Sequence, residues 1–531
     1  MLYSPQSKTL LYETDQPLKI LSAVKNARKV DNYIAVPATL DNCQQMRRLG
    51  QEIVPLTGVY NYDFPIQRGR VPQWQQIVTT NFLLSNPKCF CLNDMGTMKT
   101  LSALWAADFL MMEARLRGEQ FRAIIVSPLS TLEDVWWDHI HKNMLGRRKC
   151  VILHGTAKNR QRNLEKEADF YIINPDGLKI GFPPKGTRKP LEGLAKDLSL
   201  RTDIKLAIFD EASIYRNANT PRHKAGREIA KARPYVWAMT GTPTPKGPEN
   251  AYGIKKLVHP DYPESYTNYR SRVMLQVSQF KWVPKWDAAE QAAAMLQPAV
   301  RIPIEACHQL PPCTKVMRSC ALSEEQDKAF KLLKRDAVMA MHDGSLVHAV
   351  NEAVLRMKLL QVVSGCVYDA NHKSHSLNPA PRVDLVKEVI DNCAQKIIIA
   401  AHLTNVLEYL FSQLGDYERA IFNGNTSVKD RRDLLQRFGL ASDPLRLLLV
   451  DPSSTAHGIN SLVTASVVIW YTPTDNPEHY QQLNKRIDRP GQKSHTTVVQ
   501  IAATQIEREI YARLDAQQTL QGIVLELAKE G

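Results

Sequence analysis

The stretch CFCLNDMGTMKTLSALWAADFL, residues 89–110, contains a short apolar run, a polar loop and a long segment of helix-forming residues. Short apolar runs that stop abruptly at polar residues are typical of parallel strands buried on both faces. In a loop between such a strand and a helix, backbone N–H groups and the helix N-terminus favour an anion. The stretch therefore predicts a strand, a phosphate-binding loop and a helix, in that order.

Similar apolar runs recur along the chain in two groups, and amphipathic helical stretches such as residues 101–116 and 427–438 lie between many of them. Alternating strands and helices are typical of doubly wound parallel sheets, so the predicted fold class is α/β with two such lobes. The first group comprises residues 89–94, 123–128, 151–155, 170–176, 206–211 and 235–243, and the second comprises residues 396–402, 419–424, 446–452, 467–473 and 497–502.

The length of 531 residues exceeds one ordinary hydrophobic core, since domains average about 150 residues. We expect four segments. They are a small N-terminal accessory domain (1–65), a first α/β domain (66–262), helical protrusions with a linker (263–390) and a second α/β domain (391–531).

Composition narrows the function classes. With 44% apolar and 23% charged residues the chain can fold into packed cores, and its net charge of +14 favours a polyanionic partner. The N-terminus lacks the apolar core of a secretory signal and no run approaches the ~20 residues that span a bilayer, so we expect no membrane partner and a cytoplasmic location. The nine cysteines show no paired spacing, which predicts buried thiols rather than zinc ligands or disulfides.

The loop after the first strand has the residues to hold a nucleotide. Lys99 would reach the β- and γ-phosphates and Thr100 would hold Mg²⁺. Met98 and Asn93 stand where glycines are usual, so only Gly96 remains of the glycines that let backbone approach phosphate. The alternative is a solvated lysine at an ordinary helix start.

Two further features support a nucleotide site. LAIFDEAS (206–213) ends a predicted strand with Asp210, which could hold Mg²⁺, and Glu211, which could polarise the attacking water. An acidic pair that caps the next helix is the alternative. Gln75 precedes the loop, where its amide could read the adenine edge, although a surface glutamine is an equal alternative. The candidate ATP-binding residues at this end of the chain are Gln75, Asp94, Met95, Gly96, Thr97, Met98, Lys99 and Thr100.

The order of these motifs resembles helicase superfamily two. Their sequences resemble its Swi/Snf branch, with less specific similarity to compact phage-encoded members. Met98, Ser213 and Ala456–His457 depart from that family's pattern. The matching segments are NDMGTMKT (93–100), IIVSPLSTLEDVW (124–136), DEASIYRN (210–217), MTGTPTPKGPEN (239–250), LPP (310–312), FNGNTSVKDRRDLLQRF (422–438), STAHGIN (454–460) and QLNKRIDRPGQK (482–493).

The resemblance implies two RecA-like P-loop NTPase domains that use ATP and Mg²⁺. An arginine supplied from another lobe can stabilise the charge on a γ-phosphate. Arg486 and Arg489 are the candidates, and their three-residue spacing would place them on one face of a helix. Gly458 and Asn460 would couple the bound nucleotide to contacts with the nucleic acid along which the protein moves. The alternative is that these residues only form tight turns.

Polar loop residues could hold nucleic-acid phosphates without reading sequence. The candidates are Ser127, Thr131, Asn174, Thr240 and Thr242. Trp136 and Trp137 could stack on bases, but we expect both to pack in the core. Basic clusters could add phosphate contacts, although such charge runs are usually solvated faces. These clusters are Arg147, Arg148 and Lys149; Lys158, Arg160 and Arg162; Lys185, Arg188 and Lys189; and Arg222, Lys224 and Arg227.

From the resemblance we expect a DNA-dependent ATPase that translocates on double-stranded DNA, with a DNA-bound protein as a further candidate partner. A strand-separating DNA or RNA helicase and a nucleic-acid-binding scaffold with a decayed ATPase are the alternatives. A restriction-type endonuclease subunit is a third alternative, for which the sequence shows no separate nuclease segment. No oligomeric state is predicted.

Overall fold

A computed structural model describes residues 1–144, 146–184, 186–279, 281–342, 348–368, 374–455 and 461–530. The chain divides into two compact units. The first comprises Met1–Leu275, Val283–Cys307 and Gln521–Gly531, and the second comprises Gln276–Trp282 and His308–Leu520.

The strands are β1 (Leu2–Ser4), β2 (Thr9–Tyr12), β3 (Arg28–Val30), β4 (Tyr33–Pro37), β5 (Lys88–Cys91), β6 (Arg122–Val126), β7 (Cys150–Leu153), β8 (Phe170–Ile173), β9 (Ile204–Asp210), β10 (Tyr235–Met239), β11 (Met274–Gln276), β12 (Trp282–Pro284), β13 (Ala299–Val300), β14 (Cys313–Ser319), β15 (Cys366–Tyr368), β16 (Ser374–Ser376), β17 (Lys396–Ala400), β18 (Arg419–Phe422), β19 (Leu447–Val450), β20 (Ala465–Trp470) and β21 (Thr496–Ala502).

The helices are α1 (Pro17–Ala23), α2 (Leu40–Arg48), α3 (Leu56–Val59), α4 (Trp74–Ser85), α5 (Lys99–Leu116), α6 (Asp138–Asn143), α7 (Ala157–Leu164), α8 (Gly193–Leu200), α9 (Pro221–Lys231), α10 (Ala251–Val258), α11 (Tyr266–Val273), α12 (Ala288–Met295), α13 (Ile304–Cys307), α14 (Glu324–His342), α15 (His348–Ser364), α16 (Ala380–Asp391), α17 (Thr404–Gln413), α18 (Val428–Gly439), α19 (Pro477–Ile487) and α20 (Gln505–Glu530). Among the helices of the described ranges, none is long and apolar enough to cross a membrane.

The first unit contains a seven-stranded sheet with the order β13-β5-β10-β9-β6-β8-β7, in which neighbouring strands run parallel. Its inner strands are buried on both faces, which explains their continuous apolar sequences. Because β10 pairs with both β5 and β9, the loops that follow these three strands lie side by side at one edge of the sheet.

Residues 1–65 cover the helix that begins at the phosphate-binding loop. They form an antiparallel sheet in the order β1-β2-β4-β3, whose apolar residues share one hydrophobic cluster with α5 and β5. The indole N–H of Trp105 donates to Pro65 O at 2.7 Å, and Tyr62 donates to the buried Asp108 carboxylate at 2.8 Å. Helix α5 is therefore buried continuously over residues 101–111, so the amphipathic pattern predicted for 101–116 is wrong.

The second unit contains a six-stranded sheet with the order β14-β21-β20-β17-β19-β18, and its neighbouring strands also run parallel. The two parallel sheets confirm the predicted α/β fold class. For residues 263–390 the sequence predicts only helical protrusions and a linker. This segment also supplies β13 to the first sheet and β14 to the second, two strands that the sequence analysis missed.

A buried ion pair joins two helices of the second unit. Arg382 of α16 and Glu507 of α20 are 2.7 Å apart and almost fully buried. The other carboxylate oxygen of Glu507 accepts hydrogen bonds from the backbone N–H groups of Ala503, at 2.8 Å, and Thr504, at 3.0 Å. Arg382 also donates to the carbonyl of Tyr471, just beyond β20. The pair therefore ties both helices to the end of a central strand.

We expect Glu507→Gln to lower the free energy of unfolding of the second unit by about 3–5 kcal/mol, because it leaves the Arg382 charge buried without its partner. Urea unfolding measures the change. The matched control is Asp475→Asn, which removes the exposed partner of Arg513 and should cost less than about 1 kcal/mol. Equal losses in the two variants would contradict this assignment.

Candidate nucleotide-binding site

Residues 93–98, the P-loop, connect β5 to α5 at the carboxyl edge of the first sheet. Gly96 has φ +90° and Met98 has φ 63° and ψ 36°, so both lie in the left-handed region. A left-handed backbone costs a non-glycine residue about 1–2 kcal/mol, which is why glycine is usual there. Met98 therefore departs from the family pattern in residue type but keeps a backbone conformation that favours glycine. Its side chain is 44% exposed.

The side chain of Lys99 bonds back to the main chain of the P-loop. Its Nζ donates to the carbonyl oxygens of Asn93, at 2.7 Å, and Asp94, at 3.2 Å. The hydroxyl of Thr97 donates to the same Asp94 carbonyl at 2.8 Å. Thr100 follows in the first turn of α5 and is half-buried. The lysine ammonium and the neighbouring hydroxyl are thus held at the start of the helix, where the helix dipole favours an anion.

Helix α4 supports the loop through Asn93, whose side chain is buried. The amide of Asn93 donates to the Thr79 hydroxyl at 2.8 Å, and the Thr79 hydroxyl in turn donates to the Gln75 carbonyl at 2.7 Å. Gln75 is only 1% exposed, which excludes the surface alternative, and its Nε2 has no hydrogen-bond partner in the described part of the chain. Buried amide donors are nearly always satisfied, so this N–H group is available to a ligand.

Asp210 ends β9, and its carboxylate is oriented by three donors. Oδ2 accepts hydrogen bonds from the Ser127 hydroxyl and the Trp136 indole, both at 2.9 Å, and Oδ1 accepts from the backbone N–H of Glu211 at 3.1 Å. Glu211 has φ 49° and makes no side-chain cap to the short helix after it, within the described residues. The helix-capping alternative for the acidic pair is therefore not observed.

Ser127 and Thr131 are buried, and their hydroxyl oxygens are 2.6 Å apart. This arrangement favours a role in orienting Asp210 over the predicted contact with nucleic-acid phosphate. Trp136 is fully buried, which confirms its expected core position. For Trp137 the same expectation is wrong, because its side chain is 38% exposed and stacks on His141 with ring centroids 3.7 Å apart.

The TGTP loop after β10 touches the P-loop. A Cβ on Gly241 would lie 3.4 Å from the Asn93 carbonyl oxygen and 3.5 Å from the Met95 nitrogen, which is van der Waals contact with the P-loop backbone. Thr240 accepts a hydrogen bond from the Thr242 backbone N–H at 3.1 Å. The Thr242 hydroxyl is buried and has no hydrogen-bond partner among the residues that the structure describes. The P-loop, the loop after β9 and the TGTP loop therefore lie side by side along one edge of the first sheet.

Asn174 follows β8 further along this edge and is 8% exposed. Its side-chain oxygen accepts a hydrogen bond from Arg160 Nη1 at 3.0 Å. Arg160 also donates to the carbonyls of Leu153, at 2.6 Å, and Gly155, at 3.0 Å, and is buried. Arg160 thus has a structural role and does not belong to a solvated basic face.

In the second unit, Arg486 lies in α19 and is 5% exposed. Arg489 lies two residues beyond the end of α19, so the expectation that both arginines share one helix face is wrong. Burial lowers the pKa of the Arg489 guanidinium. Gly458 and Asn460 lie outside the described residues.

Sequence reasoning missed Gln482 as a candidate residue. Its side chain is 1% exposed, and within the described ranges neither its amide nitrogen nor its amide oxygen has a hydrogen-bond partner. Its place at the start of QLNKRIDRPGQK is the sequence signal that could have identified it. Buried amide groups usually have hydrogen-bond partners, which makes Gln482 a candidate for contact with a ligand.

A parallel sheet that presents a P-loop, an Asp-Glu pair and a TGTP loop at one edge defines a helicase-like P-loop NTPase core. Comparison with protein families agrees, because residues 25–369 match the SNF2-related domain and residues 382–491 match the helicase conserved C-terminal domain. The chain belongs to the SNF2-related family.

Two relatives illustrate the range of the family. The chain is 20% identical to the human DNA repair and recombination protein RAD54-like over 87% of its own length and 66% of that protein, so it spans just under two thirds of this relative. It is 21% identical to putative protein p41 of Acyrthosiphon pisum secondary endosymbiont phage 1, over 86% of this chain and 98% of the phage protein.

Among solved structures, the Sulfolobus solfataricus SWI2/SNF2 ATPase core in complex with dsDNA matches with a TM-score of 0.40 and 19% identity. The match covers 90% of this chain and 95% of that one. A score of this size supports no argument about function.

We expect Met98→Gly to preserve or raise the thermal unfolding midpoint, because glycine adopts the left-handed backbone without strain and the lost side chain is not part of the core. Met98→Val should lower stability by about 1 kcal/mol or more, because β-branched residues tolerate this region poorly. Thermal unfolding of the two variants beside the wild type is the measurement. A lower midpoint for the glycine variant than for the valine variant would show that the loop does not hold this conformation.

Proposed function

We propose that the protein is a DNA-dependent ATPase that uses ATP hydrolysis to translocate on double-stranded DNA. The observation that carries the proposal is the meeting of the P-loop, the Asp210–Glu211 pair and the TGTP loop at one sheet edge. Membership of the SNF2-related family supports the same activity.

The residues at this edge suit a nucleoside triphosphate. The Lys99 ammonium donates hydrogen bonds to backbone carbonyls, and it can donate to the β- and γ-phosphates instead. The buried side-chain N–H of Gln75 is available for the adenine edge. Glu211 would polarise the attacking water, a role that its place beside the oriented Asp210 carboxylate supports.

Thr100 and Asp210 are the residues that would hold Mg²⁺, since a hydroxyl and a carboxylate oxygen are ligands that this hard cation prefers. Among the described residues, no group of three or more His, Cys, Asp or Glu could hold a metal ion. When bound, Mg²⁺ neutralises the developing phosphate charge.

The second unit would complete the reaction. The guanidinium groups of Arg486 and Arg489 would stabilise the charge that develops on the γ-phosphate, a contribution worth about 10³ to 10⁵ in rate where such arginines are known. Gln482, buried and without side-chain hydrogen bonds to any residue in the described ranges, is a further candidate for contact with the triphosphate. Thr240 and Thr242, with Gly458 and Asn460, would link the nucleotide state to contacts with DNA.

The DNA surface we propose includes the loop between Gly181 and Glu192 of the first unit. Glu192 N donates to Gly181 O at 2.9 Å and closes the base of the loop. Arg188 and Lys189 are exposed on it, and neither makes an ion pair with any residue in the described ranges. Exposed cations without acidic partners are suited to phosphate contacts. Asn174 stands at the same edge of the sheet.

We also propose the kind of cell in which the protein acts. The phage relative, matched over nearly its full length, supports a bacterium or a phage-infected bacterial cell, with the protein in the cytoplasm. A protein bound on DNA would be a further partner, displaced as the motor advances. The similarity to a DNA repair and recombination protein supports DNA as the polymer on which the protein acts.

We expect duplex DNA to stimulate ATP turnover more than single-stranded DNA or RNA. Lys99→Ala and Glu211→Gln should abolish the stimulated turnover while DNA binding persists, because each removes one group from the phosphate site. Steady-state ATPase assays with each polynucleotide test this. Absence of turnover with every polynucleotide would favour the scaffold alternative, and unwinding of a tailed duplex would favour the strand-separating helicase.

We expect the double variant Arg188→Ala/Lys189→Ala to bind duplex DNA more weakly and to reduce the slope of log affinity against log salt by about 2, since each phosphate contact contributes about 0.9. The matched control is Arg47→Ala/Arg48→Ala, an exposed pair of arginines on α2. An identical slope for wild type and the loop variant would remove this loop from the DNA surface.

A further inference from the structure

Residues 298–304, which we call the P-loop strap, run beside β5 and continue past it to the P-loop. Phe90 N donates to Pro298 O at 3.0 Å, Leu92 N to Val300 O at 2.8 Å and Asp94 N to Ile302 O at 3.1 Å. The backbone of Ile302 donates in turn to the side chain of Asn93 at 2.8 Å. The strap therefore pairs with the first residues of the P-loop as well as with the strand before it.

The strap also holds the one carboxylate of the P-loop. Arg301 Nη1 lies 2.8 Å from Asp94 Oδ1, and the backbone N–H of Ile304 donates to Asp94 Oδ2 at 3.1 Å. Arg301 donates to the Leu92 carbonyl at 3.1 Å as well. The side chains of Arg301 and Asp94 are only 7% and 16% exposed, so this pair is poorly screened by water.

The pair has an electrostatic consequence for an anion-binding loop. A carboxylate in this loop would repel phosphate, and Arg301 offsets its charge. The main chain of Asp94 carries the second link, because its carbonyl accepts the hydrogen bonds from Lys99 Nζ and Thr97 Oγ1. Asp94 thus connects Arg301, through its side chain, to Lys99, through its backbone.

We propose that Arg301 is a positioning residue for nucleotide binding, which acts through Asp94 to hold the P-loop and Lys99 ready for phosphate. The inference rests on the proposed ATP site. Arg301 contacts the loop and not the reacting atoms, so it sets the affinity for nucleotide more than the rate of the chemical step. The strap lies within Val283–Cys307, the part of the first unit that is followed in the chain by His308–Leu520 of the second unit.

The test compares Arg301→Gln, Arg301→Lys and Asp94→Asn with the wild type. We expect Arg301→Gln to weaken binding of a fluorescent ADP analogue about tenfold and to raise the KM for ATP similarly, while kcat at saturation changes much less. Arg301→Lys keeps the charge but not the forked geometry and should recover part of the affinity. The double variant Asp94→Asn/Arg301→Gln should bind nucleotide at least as tightly as whichever single variant binds it more weakly, because the two residues act as one unit.

The matched control is Arg201→Gln. Arg201 makes a forked ion pair with Asp203, at 2.7 and 2.6 Å, immediately before β9 and thus at the opposite edge of the same sheet. This variant should lower the thermal midpoint without changing nucleotide affinity. Wild-type nucleotide affinity in the Arg301 variants would overturn the inference. If Arg301→Gln does not fold, the other two variants decide: unchanged nucleotide affinity in both Arg301→Lys and Asp94→Asn would overturn it. A wild type that binds no nucleotide would instead overturn the proposed ATP site.

Discussion

The parallel pairing of β10 with β5 on one side and β9 on the other is the constraint on which the site depends. Parallel strands end at the same edge, so this register alone brings together three loops that are far apart in sequence. The backbone of the TGTP loop at Gly241 then lies in contact distance of the P-loop backbone at Asn93 and Met95. The strand pairing positions the three loops, and the loops supply the polar groups of the site.

The polar groups at this edge are held by one another more than by solvent. Asp210 is oriented by Ser127, Trp136 and the backbone of Glu211, and Asp94 by Arg301 and the backbone of Ile304. Both carboxylates are partly buried, so each of these networks offsets a desolvation cost while it fixes a geometry. Gln75 Nε2, buried at this edge without a hydrogen-bond partner among the described residues, is a donor that a bound nucleotide could use.

The sequence predicted eleven strands of the two sheets because each contains an apolar run between polar boundaries. It missed β13, which has two residues, and β14, which is an exposed edge strand without an apolar pattern. Arg301 was beyond sequence reasoning because its partners lie more than 200 positions away, and no local pattern encodes such a pairing. Met98 shows the converse, since a non-glycine residue holds a backbone that the family pattern reserves for glycine.

The most direct measurement is a structure of the protein with a non-hydrolysable ATP analogue and Mg²⁺. The account predicts the triphosphate on residues 93–98, the Lys99 ammonium moved from the Asn93 and Asp94 carbonyls to phosphate oxygens, and the cation beside Thr100 and Asp210. A nucleotide bound elsewhere, or a Lys99 that keeps its present carbonyl contacts with nucleotide bound, would contradict it.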